Sequence, residues 1–224
     1  MFKRLVLIFL FIPFLAFPQK EIPYQVGEYS AFDVSFGAII VGHAELEIVE
    51  EKLIESISTF HIVGKGKTTY FFDWFFKVRD LYETFLDTSK HLPIKFIRDI
   101  NEGPYSKKQN YFFHHSDSIV KHNGTAYKIP FNSQDMLSAL FYARTFNKEE
   151  VKRTSSFFVP IFMDEENYFL EVSYLNNEVI ETKFGKVDCM VFKPKMQEGR
   201  VFEDGEEMKI WISDDKNHLL MKVE

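Results

Sequence analysis

The sequence predicts a mainly β fold: a curved antiparallel sheet forming an open or closed barrel, with one amphipathic helix packed against it. Three observations carry that expectation. Apolar and polar residues alternate with period two along most of the chain, between short turns rich in Gly, Asn and Asp, as strands with one buried face require. With 26 Phe and 10 Tyr, aromatics reach 17% of 224 residues, and large rings favour pleated surfaces and fill wide interiors. Only one segment after the N-terminus, residues 132–146, has clear helical periodicity.

The chain opens MFKRLVLIFLFIPFLAFPQ, with Lys3 and Arg4 ahead of an apolar run from Leu5 to Phe17 and a polar break at Gln19. That is the layout of a secretory signal peptide over 1–19, leaving a single all-β domain over 20–224. The run is too short to cross a hydrocarbon core of roughly 30 Å, so no stable transmembrane segment is expected after cleavage. Export implies a periplasmic protein. Cys189 is the only cysteine, which rules out an intrachain disulfide and a lipid-anchored cysteine after the leader. The formal charge of -6 comes from charges spread along the chain without a Lys/Arg cluster, so nucleic acid is not an expected partner.

The strands follow in order. Phe32, Val34 and Phe36 alternate with Ala31, Asp33 and Ser35, and Ala44, Leu46 and Ile48 alternate with His43, Glu45 and Glu47. The two should pair as a hairpin whose apolar connection, Ala38 to Val41, is expected to be covered. A third strand over 57–64 leads into TTYFFDWFFKVRD, where six rings occupy the seven positions 70–76. This aromatic knot fits no clean period and predicts a short turn or one-turn helix before a strand over 77–86. It would serve as the end-plug of a barrel or the lip of an apolar pocket. Strands over 93–101 and 107–115 flank the break Glu102-Gly103-Pro104. Asn123-Gly124 between 119–122 and 125–129 is the strongest hairpin signal, because both central residues of a type I′ turn need positive φ.

In the helix, Met136, Leu137, Leu140, Phe141 and Ala143 share one face and Gln134, Ser138 and Arg144 the other. Asn132 or Ser133 is the expected cap, with Asp135 in the first turn and Arg144 in the last. Beyond it, strands over 155–163 and 168–175 flank the turn 164–167. Asn176-Asn177 predicts a turn into 178–184, and Gly185 one into 186–193. A loop from Pro194 to Gly205 precedes a final hairpin, 207–213 and 218–223, turning through 214–217. The last strand has no polar tail after it, so the domain is expected to lack its final strand or strands.

No catalytic or metal motif rises out of this pattern. His114, His115 and His122 with Asp117 are the densest set of metal-ligand types, but adjacent strand residues face opposite sides. Asp214 and Asp215 sit where a hairpin turn wants Asp. Cys189 alternates with Val187 and Val191 as a small buried hydrophobe, and Gly64 to Lys67 lacks the spacing of a phosphate loop. No metal and no cofactor are expected.

Several stretches together resemble one family. VGEYSAFDVSFGAIIVGHAELEI, FFKVRDLYETFLD, LPIKFIRDINEGPYSKKQNYFF, SQDMLSALFYAR, ETKFGKVDCMVFKPKM and MKIWISDDKNHLLMKVE are similar to the exported bacterial proteins grouped as domain of unknown function 3108. The resemblance implies an all-β domain with one helix in the Gram-negative cell envelope, and a final hairpin that continues into further strand. It implies no catalytic residues.

The functional expectation is a non-catalytic periplasmic module that binds an apolar ligand such as a lipid or acyl chain, with Tyr70, Phe72, Trp74, Phe76 and Phe141 as ligand-binding residues. One alternative is an envelope protein-interaction module with a filled core, working through the 70–76 rings. The other is a hydrolase using His114, His115 and Asp117.

Overall fold

The computed structural model describes residues 22–196 and 208–224. The segment 1–19, expected to be a signal peptide, and most of the loop to Gly205 lie outside them. The expected mainly β, antiparallel architecture is present, built as two sheets with two short helices between the runs of strand. The first sheet has eight strands in chain order: β1 (Tyr29–Phe36), β2 (Ile39–Ile54), β3 (Ile57–Thr68), β4 (Arg79–Asp87), β5 (Pro93–Glu102), β6 (Tyr105–His114), β7 (Ile119–His122) and β8 (Thr125–Lys128). α1 (Ser138–Arg144) and α2 (Lys148–Thr154) follow. The second sheet holds β9 (Ser156–Met163), β10 (Glu166–Thr182), β11 (Gly185–Met196), β12 (Ile210–Ser213) and β13 (Leu220–Val223), again in chain order. Among the described residues no pairing joins β1 to β8, so the first sheet stays open.

The turns show which local signals won. Asn123 and Gly124 take φ of 48° and 79°, the two positive values a type I′ hairpin needs. Asn176 and Asn177 do not turn. β10 runs through them, and the register against β11 shifts between Tyr174 and Asn176. Asn propensity serves a bulge as well as a reversal, and continuous pairing with β11 decides for the bulge. The connection expected to be covered is bare: Phe36, Ile39 and Ile40 are all exposed, because nothing among the described residues packs over the β1–β2 tip. The ring-rich segment forms the expected single helical turn, Phe72–Trp74.

The 132–146 helix differs most from expectation. Only Ser138–Arg144 is helical, and the cap is Asp135, whose Oδ1 accepts from the backbone N–H of Leu137 (2.8 Å) and Ser138 (2.7 Å). Residues 132–134 are instead drawn into a bridge to the second sheet, where Gln134 N–H donates to Pro160 O and Phe162 N–H to Gln134 O. The side expected to be polar and outward is buried too: Gln134, Ser138 and Arg144 are all enclosed. The physical reason is the second sheet. Phe141 packs on the first sheet with Tyr24, Phe60, Ile62 and Leu86, while Ala139 packs on the second with Val159 and Ile161. A helix between two layers has no outward face, so its polar side chains must find partners.

Two further contacts tie the layers. Phe162 of β9 enters the first sheet's cluster of Phe96, Tyr111, Phe113, Val120 and Ile129. At the β9–β10 turn, Asp164 and Glu165 adopt φ of 51° and 62°, which costs non-glycine residues about 1 kcal/mol each. The contacts made offset it: Asp164 Oδ1 accepts from Arg98 (3.1 Å), Lys107 (2.5 Å) and Gln109 (3.0 Å) on the first sheet.

Candidate functional site

α2 was not expected from the sequence, and it builds one wall of the principal cavity. KEEVKRT buries only Val151, so it carries no apolar period. Its signal lies in the cap: the Asn147 side chain accepts from Glu150 N–H at 3.0 Å, acids fill the first turn and bases the last. Lys148 and Lys152 both pair with Asp214, which fixes the helix to the turn after β12. Asp215 meanwhile makes the expected turn bonds to Asn217 and His218 N–H.

The cavity, of about 210 Å³, lies between α1, α2 and the inward face of the second sheet. Leu140 and Ala143 of α1 face Val172, Met190, Phe192 and Ile212 of the sheet across it. Met136 at its edge is 39% exposed, so the cavity reaches the surface there. An engineered apolar void of about 150 Å³ stays dry and admits benzene, while drug-sized ligands occupy roughly 300 Å³ or more. The space therefore suits a small apolar molecule or the end of an acyl chain.

Three polar side chains border it, and each is engaged elsewhere. Arg144 donates to both oxygens of Glu28 (2.6 and 2.8 Å) and to the carbonyls of Pro23 and Asn217. His218 Nδ1 donates to Arg144 O at 2.9 Å. Lys148 pairs with Asp214. With its bordering cations neutralised, the cavity offers apolar walls and no free charge to a ligand.

The residues expected to bind ligand are divided between two places, and none of the five lines this cavity. Tyr70, Trp74 and Phe76 stand exposed at one end of the first sheet, with Phe72 half-buried beside Phe71. Phe141 is fully buried, edge-on to Tyr24 at 5.2 Å. Sequence reasoning missed Leu140 and Ala143 as wall residues because it placed them on one shared face with Phe141.

The catalytic alternatives find little geometry. His115 sits in the turn after β6, its Nε2 donating to Pro93 O at 2.9 Å, and burial holds its imidazole below the ordinary value. Asp117 lies exposed in the same turn. His122 is buried, its Nδ1 donating to Asn110 O. Cys189 lies with Val191 and Trp211 on the face of the second sheet away from the cavity. Burial, with Asp188 next, pushes its thiol up to about 11, so little thiolate exists near neutral pH. Among the described residues no three His, Cys, Asp or Glu side chains lie close enough to hold a metal ion.

A family model described as "Protein of unknown function (DUF3108)" matches residues 31–224, nearly the whole chain. The chain belongs to this family. No curated protein matches it. Among solved structures, the chain is similar to a beta-barrel-like protein of domain of unknown function DUF1849 from Brucella abortus, at 11% identity and a TM-score of 0.47. That match covers 81% of this chain and 80% of the other. Among the described residues no helix is long and apolar enough to cross a membrane.

Proposed function

We propose that this DUF3108 chain is a non-catalytic, exported binding module that holds an apolar ligand, a lipid tail or acyl chain, in the cavity between α1, α2 and the second sheet. One observation carries the reading: the cavity is walled by aliphatic and aromatic side chains while Arg144, Lys148 and His218 at its border are already bonded to the protein. Burial of an uncharged chain there gains roughly 25 cal/mol per Å² without desolvating a free polar group. Export to the periplasm rests on the N-terminal sequence, MFKRLVLIFLFIPFLAFPQ, and an exported protein meets lipids in the envelope.

Fluorescence titration with N-phenyl-1-naphthylamine tests the cavity. Wild type is expected to bind the dye saturably, and Ala143→Phe, which fills the space from α1, to weaken binding at least tenfold while keeping the wild-type melting temperature. Equal dye binding by the two proteins would place the apolar site elsewhere and sink the reading.

A further inference from the structure

The second ring-rich region shares no residue with the cavity lining, and its rings are gathered on one side. Four connections point to one end of the first sheet. The β1–β2 turn, the long β3–β4 connection and the β5–β6 turn come together there, as the pairings Gly42↔Thr68, Lys67↔Arg79 and Val78↔Glu102 require, while the polar Asn123-Gly124 turn stops short of it because β7 pairs only along 112–114 of β6. The tips of the first three carry Phe36, Ile39, Ile40, Tyr70, Phe71, Trp74, Phe75, Phe76 and Tyr105, all exposed. The connections at the opposite end carry Glu55 and Ser56, Ser89 to His91, and His115 to Ser118. The exposed rings gather at one end of the sheet, and the other end is mostly polar, with Leu53 exposed beside the β2–β3 turn.

We infer that the tips of the β1–β2, β3–β4 and β5–β6 connections form a membrane-docking platform that inserts its rings into the headgroup and acyl boundary of a lipid bilayer. Four features select lipid over a folded partner. Tyr70, Trp74 and Phe36 are 89%, 88% and 83% exposed; they project clear of their own chain, and a fluid medium can surround such rings where a folded surface would need a matching pocket for each. Trp, Tyr and Phe are the residues that membrane interfaces favour. Asp73 is the only acid among residues 36–40, 69–78 and 103–105, and Arg79 neutralises it with Nη2 2.5 Å from Oδ2. Lys77 beside it is exposed, so the platform carries no excess negative charge on a protein whose total is -6.

Part of the platform's backbone is already paired, which lowers the cost of an apolar medium, where an unpaired N–H costs several kcal/mol. Thr69 N–H donates to Val41 O, Asp73 N–H to Thr69 O, Phe75 and Phe76 N–H to Phe72 O, and Gly103 N–H to Lys77 O. The Thr69 and Gly103 bonds tie the β3–β4 connection to its neighbours on either side. Gly103, at φ 57°, lets the Phe76 ring lie against the β5–β6 turn, since a Cβ there would come within 2.7 Å of it. The inference does not depend on the cavity being occupied.

The test is flotation of the full chain with vesicles of phosphatidylethanolamine and phosphatidylglycerol, against a Phe36→Ser/Phe71→Ser/Phe75→Ser variant carrying the same N-terminus. The variant keeps Trp74 as a reporter. The other tryptophan, Trp211, is 4% exposed and will not respond. Wild type is expected to float at high salt, with blue-shifted emission that brominated lipid quenches. The variant should bind at least tenfold less at an unchanged melting temperature. Equal flotation of the two would assign membrane contact to another segment and overturn the platform. Absence of flotation would also overturn it, whether wild type is monomeric or self-associates through the same rings.

Discussion

Replacing Arg144 with alanine is expected to cost about 3–5 kcal/mol, the range for removing one partner of a buried ion pair. The side chain is 3% exposed. Its guanidinium lies 5.2 Å from the ring centres of both Tyr24 and Phe141, and its donors tie two other parts of the chain to α1. Glu28 and Pro23 belong to the segment ahead of β1, and Asn217 to the turn between β12 and β13. Alanine would leave the mostly buried Glu28 carboxylate without its cation and the carbonyls of Pro23 and Asn217 without this donor. Lysine would restore the charge without the planar fork and should recover less than half of the loss. Thermal unfolding is the check, with a fall of roughly 10 °C expected for a domain of this size. A loss below about 1 kcal/mol would mean that the pair is solvated and that the three segments are held by packing alone. Removing Glu28 as well should cost less than the sum of the single changes, because no lone charge is then left.

The second large effect is a pH dependence centred on Asp135. This carboxyl is fully buried, and burial pushes it up to about 6, against bonds from Thr84 Oγ1 and the N–H groups of Leu137 and Ser138 that pull it down. The unfolded chain loses this proton near its ordinary value of 3.8. Between about pH 4 and pH 6 the native state therefore holds a proton that the unfolded state has released, and the stability from Asp135 declines as pH rises. Over two pH units the decline is about 3 kcal/mol. Asp135→Asn keeps an oxygen for the helix cap and cannot ionise. Its stability relative to wild type should rise by about that amount between about pH 3 and pH 7 and then level off. Urea unfolding at a series of pH values measures the difference, and a flat difference would show that the carboxyl titrates alike in both states. The comparison is needed because Asp87, Asp164 and Asp214 work the other way. Burial would raise them, but hydrogen bonds outweigh it and hold them low, so they stabilise less as pH falls.

The strands were legible because their evidence is local. Alternation around Phe32 and Ala44, and the Asn123-Gly124 turn, read the same alone as in the fold. Asn176-Asn177 misled because the outcome depended on Val191 and Met190 across the ladder, which no short window contains. The helix misled for a related reason. Periodicity reports that Leu140 and Phe141 are both apolar, but not that a second sheet separates them onto opposite layers, and so it could not place the cavity. Arg144 looked like a surface cation because a buried one is legible only through its partners, more than 70 residues away in both directions. The 70–76 rings were visible at once. Their exposure was not, since burial of a ring depends on whether anything else reaches it.

Within each sheet every strand lies beside its immediate predecessor in the chain. Entropy of loop closure grows with the length of chain that must be gathered, and here no ladder needs a connection longer than the one over 197–209 between β11 and β12. Hairpins can accordingly add one after another in the order in which the polypeptide is synthesised, with no early strand left waiting for a distant mate.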